Sequence, residues 1–234
     1  MARCHNPLMQ PRAIRSYVTR AGRVTDAQRR ALEQLWPKYG IDFQPGILNL
    51  ARLFAREAPR TLEIGFGNGE HLLDRALAAP ERDFLGIEVH PPGVGHLLIL
   101  ADRAGVSNLR VIAHDAVEVL QQQIAAASLN EVQLLFPDPW HKKRHHKRRI
   151  LNADFAQLVA TRLEANGRFH AATDWTPYAE HMLSVLNECT MLANCARDGA
   201  YLAADEVIAR RATRFQRRGE RLGHTVHDLL YCRI

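Results

Sequence analysis

An α/β protein, with a parallel sheet covered by helices on both faces, is predicted by three features of the sequence. Short apolar segments alternate with helical segments from residue 61 onward. The apolar segments are rich in Val, Leu and Ile, as expected of strands that are buried on both faces. A glycine-rich turn at residues 65–69 separates the first of these strands from the first helix.

The predicted elements follow one another in regular order along the chain. The strands are expected at 61–66, 83–89, 109–113, 132–136 and 168–173. The helices are expected at 70–79, 92–104, 116–127, 153–164 and 177–189. Pro92 suits the first turn of its helix, where a missing N–H does no harm, and Asn166-Gly167 is interpreted as the end of the fourth helix. Two further strands are expected at 192–196 and 229–234.

The two ends of the chain are basic and do not follow this alternation. Residues 1–45 are predicted to form a basic arm, in which Thr25-Asp26-Ala27-Gln28 is typical of a capping box that opens a helix through Leu35. An arginine-rich segment at about 198–228 separates the last two strands, and its about 30 residues are too many for an idle loop. We therefore expect a basic arm, 1–45, that is either mobile or ordered, and one α/β domain, 46–234, with an arginine-rich loop that is either functional or mobile.

Composition narrows the class of protein. The length of 234 residues suits one domain with an arm, and 47% hydrophobic with 24% charged residues indicates a folded, soluble chain. No apolar run approaches the about 18 residues of a membrane span, and the N-terminus lacks the apolar core of a secretory signal. The four cysteines form no C-x-x-C pair, so we expect reduced thiols in a cytoplasmic protein.

The positive charge of the chain is concentrated in a few places. The net charge is +6, and arginines and lysines cluster in the arm, between residues 142 and 149, and between residues 210 and 221. Such clustering favours a polyanion, and nucleic acid in particular, over a generally basic surface.

Acidic residues accompany the glycine-rich turn. Glu63 lies within the first strand, while Glu88, Asp115 and Asp138 lie at the ends of the next three strands. The carboxyl ends of parallel strands share one edge of the sheet, and ligands bind there. A helix cap explains each acid alone equally well, but the four together favour a ligand that presents hydroxyl and amine donors.

The turn and the acids favour S-adenosylmethionine as this ligand. A dinucleotide pyrophosphate prefers a helix N-terminus with few acids nearby, whereas Glu70 stands at this helix start and the G-x-G-x-x-G spacing is absent. S-adenosylmethionine carries an ammonium, a sulfonium and ribose hydroxyls, and it has no phosphate. Gly65 and Gly67 permit the close backbone approach that such a ligand needs.

The segment 136–149, FPDPWHKKRHHKRR, is the most distinctive part of the sequence. Pro137 and Pro139 cannot donate to a sheet ladder, so the strand ends there, and each proline restricts the residue before it to extended backbone. Asp138 is then held beyond the strand end, beside the expected ligand. Trp140 is either a stacking platform for an unpaired base or a packing residue between sheet and helix.

The cations and histidines that follow invite two interpretations. The cations are expected to contact phosphates, although an isolated run of this kind is usually a solvated surface. His141, His145 and His146 match no familiar zinc spacing and have no cysteine nearby, so no metal site is predicted.

Six stretches of the chain resemble, in this order, the motifs of the bacterial tRNA (guanine-N7-)-methyltransferases. They are LEIGFGNGEHLL, GIEVHPPGVG, the strand that ends in Asp115, LFPDPWHKKRHHKRR, ATDW and TRFQRRGERLGH. The resemblance extends from the arm to the C-terminus and is most specific at PDPWHKKRHHKRR. It implies a doubly wound, Rossmann-like class I methyltransferase sheet, mostly parallel with a C-terminal antiparallel strand. It also implies S-adenosylmethionine as methyl donor and a guanine in the tRNA variable loop as acceptor.

The resemblance also implies roles for individual residues. Cofactor binding is implied for Glu63, Glu88, Asp115 and Asp138, and Asp138 matches the proposed catalytic aspartate. Substrate contacts are implied for Lys142, Asp174, Thr213, Arg214, Phe215 and Gln216. RNA contacts are implied for Arg144, His145, His146, Lys147, Arg148 and Arg149. Gln216 stands where the family usually has Glu, and an amide cannot accept from two guanine N–H donors as a carboxylate does.

The expected chemistry is methyl transfer to a neutral nitrogen. N7 of guanine has an exposed lone pair, so the attack needs no strong general base. In-line alignment and a negative group near the purine would help, and this is the role expected of Asp138; capping the next turn is the alternative. Asp174 either accepts from guanine N–H groups or caps the helix that begins near Pro177.

Other functions stay open at this point. They are a non-catalytic RNA-binding protein on a methyltransferase fold, a methyltransferase of another base, and a small-molecule methyltransferase. PDPW superficially resembles a D-P-P-W-like motif of enzymes that methylate exocyclic amines on DNA, but the cations after it favour the tRNA enzyme. We expect tRNA as partner, no membrane, no metal, and a monomer or homodimer.

Overall fold

The computed structural model of the chain describes residues 15–17, 22–203, 206 and 225–234. Most of the predicted arginine-rich loop lies outside the described residues, and so do Thr213, Arg214, Phe215 and Gln216. Residues 1–14 and 18–21 of the predicted arm also lie outside them.

An eight-stranded sheet organises the described residues. Its strands are β1 (Gly40–Ile41), β2 (Arg60–Ile64), β3 (Asp83–Ile87), β4 (Leu109–Ile112), β5 (Leu129–Leu135), β6 (Leu163–Thr173), β7 (Leu192–Asn194) and β8 (His227–Arg233). The spatial order is β1-β4-β3-β2-β5-β6-β8-β7. The pairs from β1 to β6 are parallel, and β8 is antiparallel to both β6 and β7. The predicted mostly parallel sheet with an antiparallel C-terminal strand is confirmed.

Helices cover both faces of this sheet, as predicted. They are α1 (Asp26–Gln34), α2 (Trp36–Tyr39), α3 (Leu50–Phe54), α4 (Glu70–Ala78), α5 (Pro91–Ala104), α6 (Ala116–Gln122), α7 (Ala153–Arg162) and α8 (Thr176–Glu188). Helices α1, α2, α4 and α5 share one apolar core with the sheet, and α3, α6, α7 and α8 share the other. Burial of both faces explains why the strands are apolar along their whole length.

The order of the strands reverses at β2. From there the chain passes to β3 and β4 on one side, and then to β5 and β6 on the other. Such a reversal opens a crevice at the carboxyl ends of the two central strands, which here are β2 and β5. The fold therefore places a candidate binding site directly after Ile64 and Leu135.

Most predicted bounds agree closely with the structure, but two were wrong. The helix predicted for 116–127 ends at Gln122, because Ile124 enters the core and Ala127 takes a left-handed φ of 48° before β5 begins. The Asn166-Gly167 pair does not end a helix. Helix α7 already ends at Arg162, and the pair lies inside the long strand β6, where Asn166 has φ 63° and the pairing register with β5 shifts.

Residues 26–41 pack against the sheet, although they belong to the predicted arm. The capping box is confirmed: the backbone N–H of Gln28 donates to Thr25 Oγ1 and the backbone N–H of Thr25 donates to Gln28 Oε1. The side chain of Gln28 donates to the carbonyl of Pro92 at 3.0 Å, which fixes α1 on α5. Strand β1 then extends the sheet beside β4. The division into domains at residue 45 stays a prediction.

At the edge of the sheet beside β7 and β8 the structure pairs Cys195 with Cys232, whereas reduced thiols were predicted from the sequence. The sulfur atoms of Cys195 and Cys232 are in contact, with Cα atoms 6.4 Å apart, although 37 positions separate them in the chain. Cys189 is a buried free thiol. In the part of the chain that the structure describes, every helix is too short or too polar to span a bilayer.

The contact between α1 and α5 depends on Gly95. A Cβ atom at this position would lie 2.9 Å from the carbonyl oxygen of Gln28, and that neighbour is backbone. We predict that Gly95→Ala lowers the free energy of unfolding by about 1–3 kcal/mol, because the two helices must separate. Chemical denaturation measures the change. Arg103→Ala, at an exposed position of α5, is the control and should change the value by less than about 0.5 kcal/mol. Equal stability of the two variants would show that the helices do not pack this closely.

Candidate active site

A cavity of about 710 Å³ opens at the carboxyl edge of the sheet, at the reversal between β2 and β5. The residues around it come from the glycine turn (residues 65–69), from the ends of β2, β3 and β5, and from the start of α5. This volume is within the usual range for a small-molecule site. Three of the four predicted acids, Glu63, Glu88 and Asp138, line this cavity.

The glycine turn has a backbone that favours glycine at three positions. Gly65, Gly67 and Gly69 have φ values of 72°, 59° and 77°. These left-handed values cost little for glycine, whereas a residue with a Cβ atom would be strained. The turn therefore leads from β2 into α4 while its backbone faces the cavity, as the sequence predicted for Gly65 and Gly67.

Glu88 connects the glycine turn to the end of β3. Its carboxylate accepts hydrogen bonds from the backbone N–H groups of Gly67 at 2.8 Å, Val89 at 2.7 Å and His90 at 3.0 Å. A carboxylate has about four acceptor positions, so Glu88 can still accept from a ligand hydroxyl. The buried acid is thus both a structural support of the turn and a candidate ligand contact.

Glu63 has a partner that sequence reasoning missed. The Nδ1 atom of His71 lies 3.0 Å from Glu63 Oε2, and both side chains are buried and line the cavity. His71 lies in the first turn of α4, so the glycine turn brings it back over β2. A single histidine in an apolar helix carries no signal in the sequence that identifies this contact.

Asp115 does not line the main cavity and lies beside a smaller neighbouring one. It accepts from the backbone N–H of Val117 at 2.8 Å and caps α6, so the capping alternative holds. With Tyr17 and His114 it lines a smaller cavity of about 160 Å³. His114 lines both cavities and stacks on Phe43 at 3.7 Å between ring centroids. An aromatic surface therefore lies next to an acid, an arrangement that suits an adenine ring and its amino group.

Residues 15–17 lie beside the two cavities, with Arg15 at the smaller one, and no pattern in the sequence predicted this. Ser16 and Tyr17 are among the lining residues of the larger cavity. Burial and the charge of Asp115 raise the pKa of Tyr17, so its hydroxyl stays neutral. Trp140 fixes the segment, because its indole N–H donates to the carbonyl of Ser16 at 3.1 Å.

The Asp138 loop (residues 136–140) has an unusual backbone. Phe136 has φ 53° and Trp140 has φ 49°, so left-handed residues flank the Pro-Asp-Pro sequence on both sides. The prediction of extended backbone was therefore wrong for Phe136. The N–H of Phe136 still donates to the carbonyl of Ala172 at 2.8 Å, and the chain leaves the sheet directly afterwards. This turn carries Asp138 to the wall of the cavity.

Trp140 packs against its own chain. The guanidinium of Arg148 lies over the ring at 5.1 Å from its centroid, and the ring of His145 meets it edge-on at 5.9 Å. Together with the hydrogen bond to Ser16, these contacts make Trp140 the point where the Asp138 loop, residues 15–17 and the cations after it meet. These contacts differ from the predicted packing between sheet and helix, and base stacking by Trp140 stays a prediction.

The cations after the Asp138 loop form an exposed 3₁₀ turn, the basic turn (Lys143–Arg148). Lys142, Arg144 and Lys147 are exposed, and Arg148, His145 and His146 are partly exposed. Partial burial and the surrounding cations lower the pKa of His145, so it is neutral near pH 7 in the free protein. Arg149 differs from the other predicted RNA contacts, because its side chain is buried.

Asp174 lies between β6 and α8, next to the Asp138 loop. The predicted helix cap is not at this position, because α8 begins at Thr176 and its N-cap residue is Trp175. Trp175 contacts the ring of His141 at 4.4 Å, which brings this region to the start of the basic turn. Among the described residues, there is no group of three or more metal-binding side chains.

Gly93 is a further residue that the site requires. A Cβ atom there would lie 2.1 Å from the carbonyl oxygen of Gly67, which belongs to the glycine turn. A glycine at the start of a predicted helix, where it is unfavourable, is the signal that could have identified this role.

We predict that Gly93→Ala raises the dissociation constant for S-adenosylmethionine by at least about tenfold, because the glycine turn must shift by a substantial distance. Isothermal titration calorimetry measures this dissociation constant. Gly105→Ala, at the left-handed C-cap of the same helix, is the matched control: it strains the helix end but should leave cofactor affinity unchanged. Unchanged affinity in Gly93→Ala would contradict the close approach of α5 to the turn.

Comparisons with known proteins agree with this geometry. A family model described as "Putative methyltransferase" matches residues 57–229. The tRNA (guanine-N(7)-)-methyltransferase of Sodalis glossinidius is 54% identical over 222 residues, which are 95% of this chain and 92% of that protein. The enzyme of the same name from Leifsonia xyli is 53% identical over 225 residues, 96% of each chain.

Solved structures show the same fold at low identity. The aminoglycoside resistance methyltransferase NpmB1 superposes with a TM-score of 0.54 at 14% identity, over 82% of this chain and 95% of that one. The 16S rRNA methyltransferase KamB gives a TM-score of 0.54 at 16% identity, over 92% and 96%. With relatives this similar over nearly its whole length, the chain belongs to the tRNA (guanine-N(7)-)-methyltransferase family.

Proposed function

We propose that this protein transfers the methyl group of S-adenosylmethionine to N7 of a guanine in the variable loop of tRNA. The observation that carries the proposal is the position of Asp138, which lines the cofactor-sized cavity and stands directly before an exposed basic turn. The names of the relatives reported above specify methyl transfer to guanine N7 of tRNA, and the position in the variable loop stays a prediction.

The residues around the cavity fit the chemical groups of S-adenosylmethionine. Glu88 suits the ribose hydroxyls, and Glu63 suits the ammonium of the methionine part. Asp115, beside the stacked ring of His114, suits the adenine amino group. The backbone of Gly65 and Gly67 permits close approach. When bound, the cofactor supplies an electrophilic methyl group on a sulfonium.

Asp138 contributes orientation and charge rather than proton removal. Guanine N7 is already a nucleophile, and the purine becomes positively charged as the methyl group is transferred. A fixed carboxylate at the cavity wall stabilises that charge and aligns the base with the donor. Left-handed backbone at Phe136 and Trp140 gives the loop its shape, and hydrogen bonds to Ala172 and Ser16 hold its two ends and so limit the movement of this carboxylate.

The basic turn provides the contact with tRNA. Its exposed cations lie next to the Asp138 loop, so phosphates bound there would bring a nearby base to the cavity. Lys142 follows His141 and Asp174 precedes Trp175, and the rings of His141 and Trp175 are in contact. Lys142 and Asp174 are therefore proposed to contact the target nucleotide. Thr213, Arg214, Phe215 and Gln216 lie outside the described residues, and their substrate contacts stay predictions. Bacterial tRNA is a cytoplasmic substrate, which favours the predicted cytoplasmic location.

A direct test of the proposed function uses an unmodified tRNA transcript and labelled S-adenosylmethionine. Nuclease digestion should yield 7-methylguanosine, and mapping should place it in the variable loop. The proposal fails if the label appears on another base, or if the protein binds tRNA without transferring the methyl group.

We predict that Asp138→Ala lowers the single-turnover rate of methyl transfer by at least about 100-fold, because the charge of the methylated purine is no longer compensated. The melting temperature should stay close to that of the wild type. Asp154→Ala, at an exposed position of α7, is the control and should leave the rate unchanged. A rate near wild type in Asp138→Ala would remove the assigned role.

The salt dependence of tRNA binding should show which residues of the basic turn neutralise tRNA phosphates. We predict that Lys147→Ala reduces the slope of log K against log salt by about 1, because one phosphate contact is lost. His145→Ala should reduce the slope less than Lys147→Ala does, because burial and the surrounding cations lower the pKa of His145 in the free protein and oppose its protonation. Fluorescence anisotropy at several salt concentrations measures both. An unaltered slope in Lys147→Ala would mean that the basic turn does not contact the tRNA backbone.

A further inference from the structure

Arg149 follows the basic turn directly, yet its side chain is only 5% exposed. Its Nε–H donates to the carbonyl oxygen of Pro139 at 3.0 Å. One terminal nitrogen lies 3.3 Å from Nε2 of His146, and the guanidinium lies 4.7 Å from the centroid of the Tyr178 ring. The guanidinium is thus occupied by protein groups, and a tRNA phosphate has little access to it.

The hydrogen bond from Arg149 is made to the residue that directly follows Asp138. Pro139 follows Asp138 directly, in the middle of a loop whose ends are held in left-handed backbone at Phe136 and Trp140. Strained backbone of this kind persists only where its surroundings determine it fully. Hydrogen bonds to Ala172 and Ser16 hold the two ends of the loop, and the bond from Arg149 holds its centre.

The chemistry of arginine suits this position. The planar guanidinium can donate to a carbonyl, approach a histidine and stack on an aromatic ring at the same time, which a lysine ammonium cannot do. Burial lowers the pKa of Arg149, but a guanidinium stays charged at any physiological pH. Its cation–π contact with the fully buried Tyr178 anchors it to α8.

We propose that Arg149 is a positioning residue for Asp138 and not an RNA contact. The buried guanidinium fixes the carbonyl of Pro139 and thereby the direction in which Asp138 enters the cavity. This proposal rests on the proposed methyl transfer to tRNA. The proposed role also connects the Asp138 loop with the basic turn, because Arg149, which holds the loop, follows the last residue of the basic turn directly in the chain.

The test compares Arg149→Lys with the wild type in two measurements. At saturating tRNA and S-adenosylmethionine, the single-turnover rate should fall by at least about tenfold, because a small displacement of Asp138 is costly. The salt slope of tRNA binding should stay unchanged both in Arg149→Lys and in the charge-removing variant Arg149→Met, because the buried guanidinium contacts no phosphate. If instead tRNA affinity fell with the rate at saturation intact, or if neither quantity changed, the proposal would be overturned.

Arg162→Lys is the control for loss of an arginine hydrogen bond to a backbone carbonyl, and its side chain is half-buried. Arg162 also donates its Nε–H to a backbone carbonyl, that of Leu120 at 2.7 Å, but it lies at the end of α7, at the opposite edge of the sheet. We expect a similar loss of melting temperature in both lysine variants and a loss of rate only in Arg149→Lys. Equal rates in the two variants would show that Arg149 is merely structural.

A second variant avoids changing any cation. Tyr178→Leu removes the ring on which Arg149 stacks, so it should lower the single-turnover rate without altering the salt slope. An unaltered rate in a folded Tyr178→Leu protein would count against the proposal.

Hydrogen exchange of a peptide that covers residues 136–142 gives a readout that needs no activity. Exchange at the Asp138 loop should accelerate in Arg149→Lys and not in Arg162→Lys. Failure of the wild type to form 7-methylguanosine would refute the proposed function, whereas unaltered exchange in Arg149→Lys would refute the positioning role alone.

Discussion

The parallel pairing of β2 with β3 and with β5 is the constraint on which the site depends. It places the carboxyl ends of successive strands at one edge, although the residues that follow them are far apart in the chain. Glu88 adds a local bond to this arrangement, because its carboxylate holds the glycine turn through the N–H of Gly67. The position of the cavity, the acids that line it and the glycine-turn backbone that faces it all follow from these pairings.

The site also requires that the Asp138 loop keep one backbone conformation. Two prolines prevent the chain from continuing as a strand after Phe136, and left-handed residues on both sides turn Asp138 toward the cavity. Such a conformation is unfavourable alone. It is maintained by contacts with two distant parts of the chain, the arm and β6, and by a nearer contact from Arg149, the residue after the basic turn. The site therefore combines a rigid sheet edge with a loop whose geometry is imposed by its neighbours.

Local pattern was sufficient to predict strands β2 to β8, helix α1 with its capping box at Thr25, helices α4 to α8, and the acids at the sheet edge, but not β1, α2 or α3. It was insufficient where contacts between residues far apart in the chain determine the position of a side chain. His71 meets Glu63 only because α4 folds back over β2, and residues 15–17 reach the cavity through Trp140. The sequence places Arg149 in a run of cations, and only the structure shows that its side chain turns inward. The backbone at Phe136 was predicted wrongly because a general preference before proline yielded to the packing of the loop.

A crystal structure of the protein with S-adenosylmethionine bound is the most direct test of this arrangement. The ribose hydroxyls should lie within hydrogen-bonding distance of Glu88, and the methyl group should point toward the space beside Asp138. A donor bound away from the cavity between the glycine turn and the Asp138 loop, or one that makes no contact with these carboxylates, would contradict the convergence of strand ends on the cofactor.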